Sequence, residues 1–111
     1  MALLDQNTRY IYLVRAEFTD ADRLPEWHSW YEQTHIPNLM SVPGFVSATR
    51  YQERGSHQSR YLAAYEIESP AVFDEPRYRE ITGWGEWGTY IGDWRRAIYM
   101  VVDELESFNK V

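Results

Sequence analysis

A tyrosine and a histidine four residues apart are the side chains in this sequence best suited to chemistry. At 100° per residue, Tyr31 and His35 share one helical face, and His28 lies at its edge. An imidazole accepts and returns protons near neutral pH, and a phenol one turn earlier can orient it or donate to a substrate oxygen. We therefore predict His35 and Tyr31 as catalytic residues, the alternative being a core histidine bonded to a backbone carbonyl. The rest of this face is formed by Leu24, Trp27, Asn38 and Val42.

Two groups of side chains are candidates for binding a substrate. Trp27, His28 and Asn38 belong to the same predicted helix as the catalytic pair. Trp84 and Trp87 lie in a segment whose glycines allow the backbone to turn sharply and to move. These two indoles could close over a flat apolar compound, or they could pack against a second copy of the chain.

A metal site is the other function that this helix suggests. Side chains spaced like His28, Glu32 and His35 can approach one point from one helix. Glu32 lies outside the predicted face, however, and no further Asp, Glu or His is placed to complete the ligands. The glycines of residues 83–88 match a dinucleotide-binding motif by letter only, because they do not connect a strand to a helix. We predict no metal site and no cofactor.

Length and composition limit the function further. The chain has 111 residues and no cysteine, so we expect one domain over residues 1–111 without disulfides. Its net charge of −6 argues against a nucleic-acid partner or an anionic membrane. The longest apolar run, residues 97–102, is too short to span a bilayer, and the first residues do not resemble a secretory signal. We therefore expect a cytoplasmic protein, whose 16% aromatic content favours interfaces and ligand pockets.

The predicted elements follow the order β-α-β-β-α-β, the split βαβ of ferredoxin-like α+β domains with a four-stranded antiparallel sheet. Pro37 should produce a kink or a new turn at Ile36–Pro37. The charged residues within the strands are expected to pair across the sheet, and the alternative for one of the arginines is to bind a carboxylate; these charged residues are Arg15, Arg50, Glu66 and Arg96. The predicted bounds are strands at 10–17, 45–53, 60–68 and 94–104, helices starting at 21 and 69, a hairpin loop at 54–58 and a loop at 82–93.

Two of these strands are apolar on both faces, at residues 10–14 and 97–102. Such continuous apolar runs are typical of strands that are buried on both sides. Two helices cover only one face of a four-stranded sheet, so the other face needs a cover, and a second copy of the chain is the commonest one. We therefore predict a homodimer, against the alternative of an exposed apolar face.

The motif Tyr31-x-x-x-His35-x-Pro37, followed by Pro-Gly-Phe at residues 43–45, resembles the EthD-like branch of the dimeric α+β barrel superfamily. The motif covers residues 27–45, and the strand order extends the resemblance over most of the chain. It implies a homodimer whose sheets pack face to face into an α+β barrel. It also implies a pocket in each subunit between helices and sheet, with the helix histidine pointing inward.

These observations favour a small cofactor-independent enzyme that acts on an aromatic or polyketide-like molecule. The predicted reaction is proton transfer of the lyase or isomerase type, with His35 as general acid or base and Tyr31 as its orienter or as a donor to a developing oxyanion. Two alternatives stay open: a cofactor-free monooxygenase, and a non-catalytic protein that binds a hydrophobic metabolite or haem. The expected partners are a hydrophobic or aromatic small molecule and a second copy of the chain.

Overall fold

The computed structural model describes residues 9–102, in which strands and short helices alternate. The regular elements are β1 Tyr10–Phe18, α1 Leu24–Trp30, α2 Ile36–Met40, β2 Phe45–Gln52, β3 Arg60–Ile67, α3 Pro76–Ile81 and β4 Ile91–Met100. A π-helical turn, Tyr31–His35, joins α1 to α2, and 3-10 segments lie at Ala21–Arg23, Pro70–Asp74 and Gly85–Tyr90. The strands form one antiparallel sheet in the order β2-β3-β1-β4. The predicted ferredoxin-like α+β fold is confirmed.

The core lies on the face of the sheet that the helices cover. Alternate residues of β1 are buried there, as expected for a strand whose side chains point to opposite faces in turn. Trp27 of α1 is fully buried and stacks on Phe18 of β1, with ring centroids 4.6 Å apart. Tyr65 and Ile67 of β3 are buried as completely. These aromatic contacts fix how the first helix lies on the sheet.

The first helix continues through Pro37, where the sequence predicted a kink or a new turn. The N–H of Ile36 donates to the carbonyl of Tyr31, five residues earlier, so the turn before the proline is π-helical. In a regular α-helix the proline ring would collide with the carbonyl four residues earlier. The wider turn relieves that collision, and the irregularity therefore lies at Tyr31–His35 rather than at Ile36–Pro37.

The π turn also changes which residues of α2 face the core. One extra residue in a turn rotates everything after it by about 100° relative to an uninterrupted α-helix. Leu39 is accordingly buried, whereas Asn38, which α-helical spacing placed on the apolar face, is only partly buried.

Prolines and glycines account for the other differences from the predicted elements. Pro76 divides the predicted second helix, because Glu75 before it is extended with ψ 133°. Within the predicted loop at 82–93 a 3-10 segment forms, and β4 starts at Ile91 rather than at 94. The last strand was predicted to reach residue 104 but ends at Met100, and residues 103 and 104 lie outside the described residues. The bounds of β1, β2 and β3 differ from the predicted ones by one residue each.

The Pro-Gly-Phe sequence at residues 43–45 makes a close turn into β2. Gly44 has φ +95°, a conformation that side chains rarely adopt, and a Cβ there would overlap Val72. The carbonyl of Gly44 accepts a hydrogen bond of 2.8 Å from the N–H of Glu68. Glycine is therefore required at this position for both its backbone angle and its small size.

The opposite face of the sheet carries no helix within residues 9–102. Ile11 and Leu13 of β1, Leu62 of β3 and Tyr99 of β4 lie on it, as the strand registers show. The face also carries the ion pair of Arg15 with Asp93, whose atoms are 3.7 Å apart. Four strands of eight to ten residues present roughly 20 Å by 30 Å, so two such faces would bury about 1,200 Å², the size of a stable interface. No helix of the described chain is long and apolar enough to cross a membrane.

We predict that this face makes the protein a homodimer. Light scattering at micromolar concentration should give twice the mass of the chain. Leu13→Glu places a charge at the centre of the face and should give a folded monomer, since burying an unpaired carboxylate is costly. Ala71→Glu, at an exposed position among the helices, is the matched control and should stay dimeric. A wild-type monomer at this concentration would contradict the prediction.

Candidate active site

A cavity of about 110 Å³ lies between the helices and the sheet. Most of its wall is aromatic. Its apolar walls include Val14, Leu39, Trp84 and Trp94. Its polar walls include Tyr12, Tyr31, His35, Tyr65, Tyr78 and Arg96. The predicted catalytic pair thus shares one cavity with three further phenols and a guanidinium.

His35 is held in this cavity by aromatic rings. Its imidazole stacks on Trp30 with centroids 4.6 Å apart, and the ring of Tyr31 stands edge-on to it at 5.0 Å. Trp84 lies on the cavity side at 6.4 Å. Neither ring nitrogen of His35 forms a hydrogen bond with another residue of the range 9–102. The described chain therefore offers no backbone carbonyl that would account for this histidine as a core residue.

The imidazole of His35 is neutral at pH 7. Burial and, after it, the positive charge of Arg50 lower the pKa of His35 to about 4. A neutral imidazole has a free lone pair and can accept a proton or a hydrogen bond from a ligand. An anion bound in the cavity would raise this pKa again, because it favours the charged imidazolium.

Arg50 of β2 places a buried cation behind the cavity. Its guanidinium carbon lies 4.1 Å from the ring centroid of Tyr31 and 5.2 Å from that of Trp27. Its Nη1 is 3.1 Å from Nδ1 of His28 and 3.8 Å from a carboxylate oxygen of Glu32. Its Nη2 is buried and has no hydrogen-bond partner in the described chain. Aromatic faces rather than a close carboxylate hold this charge, so its field reaches the cavity.

The other phenols in the cavity were not predicted from the sequence. The hydroxyl groups of Tyr65 and Tyr31 are 3.4 Å apart, and burial raises the pKa of both phenols. Tyr12 lies beside Tyr65 in the register of β1 and β3, and Tyr78 reaches the cavity from α3. Burial also raises the pKa of Tyr12, so the phenols of Tyr12, Tyr31 and Tyr65 remain protonated at neutral pH. Alternation along the strands could have placed Tyr12 and Tyr65 on the inner face of the sheet. The position of Tyr78 in the cavity depends on where α3 lies, which the sequence does not show.

The glycine-rich segment separates its two tryptophans. Trp84 lines the cavity and stands edge-on to Trp94 of β4 at 6.0 Å. The glycines on either side of it, Gly83 and Gly85, have φ +104° and +58°, so the turn needs residues that adopt positive φ. Trp87 instead is buried and packs against Phe18, away from the cavity.

Three other predicted binding residues also lie outside this cavity. Trp27 is fully buried between α1 and the sheet. His28 lines an open groove on the far side of Arg50, where burial and then the charge of Arg50 lower its pKa. The Oδ1 of Asn38 accepts a hydrogen bond of 3.4 Å from Arg77. Within residues 9–102, no three His, Asp or Glu side chains are grouped so that they could hold a metal ion.

Comparison with known proteins identifies the fold through solved structures. A scan of protein-family models finds no match, and a search of curated proteins finds none either. A mutant of SnoaB, a cofactor-independent oxygenase from Streptomyces nogalater, matches with a TM-score of 0.65 and 16% identity, over 86% of this chain and 95% of SnoaB. The ActVA-Orf6 monooxygenase of Streptomyces coelicolor, in complex with nanaomycin D, matches with a TM-score of 0.60 and 14% identity, over 89% of this chain and 92% of that one.

A third similar structure is described as a dimeric ferredoxin-like protein from an uncultured marine organism. It matches with a TM-score of 0.64 and 14% identity, over 89% of this chain and 93% of that one. These similarities establish a fold shared with dimeric ferredoxin-like proteins and with monooxygenases. Membership of the EthD-like branch stays a prediction.

The position of Arg50 makes a testable prediction about the charge of His35. In Arg50→Met, which keeps a long apolar stem, the pKa of His35 should rise from about 4 because the repelling cation is gone. Arg50→Lys should keep the pKa low. Histidine ring resonances measured by NMR between pH 3 and 8 would give these values. Arg54→Met, in the exposed hairpin loop, is the control and should change nothing.

The same pKa has a consequence for stability. The unfolded chain binds a proton at His35 near pH 6.5, whereas the folded chain does so only near pH 4. The free energy of unfolding should therefore fall as the pH drops through this interval. In His35→Gln the free energy of unfolding, measured by urea denaturation, should fall less over the same pH interval. An equal fall in the two proteins would mean that His35 is not neutral in the folded protein.

Proposed function

We propose that this protein is a cofactor-independent monooxygenase that oxidises a flat, aromatic, polyketide-like molecule with O2. The observation that carries the proposal is the aromatic cavity in which the neutral imidazole of His35 meets several protonated phenols. The similar structures of two oxygenases support this chemistry better than the lyase or isomerase chemistry favoured by the sequence. Both begin with the removal of a proton, so the lyase or isomerase remains the second candidate.

The proposed reaction starts at an acidic CH2 group of the substrate. His35 accepts one proton, and the electron pair that remains is delocalised over the rings. This carbanion reduces O2 and forms a C–O bond, and the O–O bond of the resulting peroxide then breaks. One oxygen atom remains as a carbonyl, and the other leaves as water with the two hydrogens of the former CH2. O2 is the oxidant, and the substrate itself supplies all the electrons.

The residues around His35 fit the charges that develop in this reaction. The hydroxyl of Tyr31, which accepts a hydrogen bond from Tyr65, can donate its own to an oxygen that becomes negative when the carbanion forms. The cation of Arg50 behind Tyr31 stabilises the same anion. Once the substrate is an anion, the imidazolium of His35 is stabilised beside it. The pKa of His35, which is low without a ligand, therefore rises when the bound substrate becomes an anion.

We also propose that the active protein is a homodimer, as the marine ferredoxin-like structure is described to be. The open sheet face, away from the cavity, would form the interface. Each subunit would then keep a cavity of its own between helices and sheet.

Oxygen uptake with anthrone as the probe tests the proposed function. Anthrone is flat, carries an acidic CH2 group and gives anthraquinone and water with one O2. The wild type should consume O2 above the uncatalysed rate and give equal amounts of anthraquinone. His35→Gln should lower the rate by roughly 10²–10⁴, the usual contribution of a positioned general base, while the melting temperature stays within a few degrees. Tyr31→Phe should lose less, because only one hydroxyl is removed.

His57→Gln provides the matched control, because His57 lies in the exposed hairpin loop. It should oxidise anthrone at the wild-type rate. Conversion of the probe without O2 uptake would favour the lyase or isomerase alternative. Tight binding without any conversion would favour a binding protein. A His35→Gln protein with full turnover and a lower melting temperature would show that His35 is structural.

A further inference from the structure

Arg96 is a cation at the cavity that has no carboxylate partner in the described chain. Arginines such as Arg15, Arg77 and Arg79 form ion pairs with acidic residues. Arg96 lines the cavity from the edge strand β4, and its side chain is accessible to solvent. The whole chain carries a net charge of −6, so an arginine without an acidic partner is notable at this place. Its charge is available to a ligand that carries the opposite charge.

Two phenols surround this guanidinium. Nη1 of Arg96 lies 3.4 Å from the hydroxyl of Tyr78, and Tyr12 interacts with the same guanidinium. Burial, followed by the proximity of Tyr78, raises the pKa of Tyr12, so its hydroxyl remains a donor at neutral pH. The contact between Arg96 and Tyr78 is long for a hydrogen bond and leaves most of the five guanidinium N–H groups for other acceptors. Two O–H donors and a guanidinium fork are groups that bind a carboxylate.

The position of these groups in the cavity determines how a ligand would lie. Arg96 shares its face of β4 with Trp94, whose ring packs edge-on against Trp84. His35 lies on the helix side of the same cavity. A flat ligand packed against these indoles in the cavity would have one edge near His35 and another near Arg96. An acidic substituent at the second edge would fix which carbon of the ring system faces His35.

We propose that Arg96, Tyr12 and Tyr78 form a subsite for a carboxylate substituent on an aromatic ligand of this cavity. This inference deepens the proposed function, on which it rests, by naming the substrate class as aromatic acids. The carboxylate orients the ring system and takes no part in the oxidation. Arg96 is therefore a binding and orienting residue rather than a catalytic one.

Calorimetric binding of 2-naphthoate and 2-naphthamide at pH 7.5 tests the subsite, because the two probes have nearly the same shape and differ in charge. The wild type should bind the acid about five- to tenfold more tightly than the amide. An arginine–carboxylate contact beside buried phenols is stronger than an ion pair that is exposed to water. Arg96→Gln should reduce this ratio to less than twofold by weakening acid binding alone. Arg96→Lys should keep part of the preference, because it keeps the charge without the planar fork.

Arg79→Gln is the matched control, because it removes the same charge next to Tyr78 in sequence from an exposed position. It should keep the wild-type preference. Equal binding of the two probes by the wild type, including no measurable binding of either, would overturn the subsite, as would an undiminished preference in Arg96→Gln. The measurement needs no turnover. A different outcome is that the wild type fails to consume O2 with anthrone and still prefers 2-naphthoate in a way that depends on Arg96. That result would overturn the proposed monooxygenase and support the subsite.

Discussion

The packing of Trp27 between the first helix and the sheet is the contact on which the site depends. This indole is fully buried, stacks on Phe18 and stands edge-on to Tyr31 and Tyr61. Its rotation fixes that of α1, and the following turn then carries Tyr31 and His35 towards the sheet. Burying such a ring contributes several kcal/mol, so apolar packing positions the catalytic candidates. The indole N–H of Trp27 has no partner in the described chain, which makes this a shape-determined contact.

The sequence was sufficient for the fold because its strand and turn signals agree with one another. Strand propensity, the Pro-Gly-Phe turn and the order of the elements all predict one ferredoxin-like sheet. The predicted helices differ from the observed ones where a proline changes the conformation of the residues before it. Pro76 interrupts the second helix by keeping Glu75 extended, and Pro37 is accommodated by a π turn that ends before it. Periodicity at 100° per residue contains no signal for such a turn, so the sequence alone places Asn38 on the inner face.

Only those residues of the site that lie on one helix could be predicted from the sequence. Tyr31 and His35 share the cavity because they are one turn apart, and this follows from spacing alone. Tyr12, Tyr78 and Arg96 come from three other elements, and only the strand registers and the position of α3 bring them together. Trp84 and Trp87 have similar glycine surroundings in the sequence, yet one lines the cavity and the other is buried against Phe18. No local pattern distinguishes them, because the distinction depends on the path of the segment across the sheet.

The electrostatics of the cavity link the packing to the proposed chemistry. Two arginines flank it: Arg50 is buried behind the ring of Tyr31, and Arg96 is accessible at the opposite strand. Burial and the charge of Arg50 keep His35 neutral without a ligand, and both positive charges favour a bound anion. Exposed charges in water would have little effect on each other, but the aromatic walls lower the local dielectric constant and strengthen every remaining interaction. Arg50 and the aromatic walls thus make His35 a weak base without a ligand. The same residues favour proton transfer to His35 once the substrate can carry the negative charge.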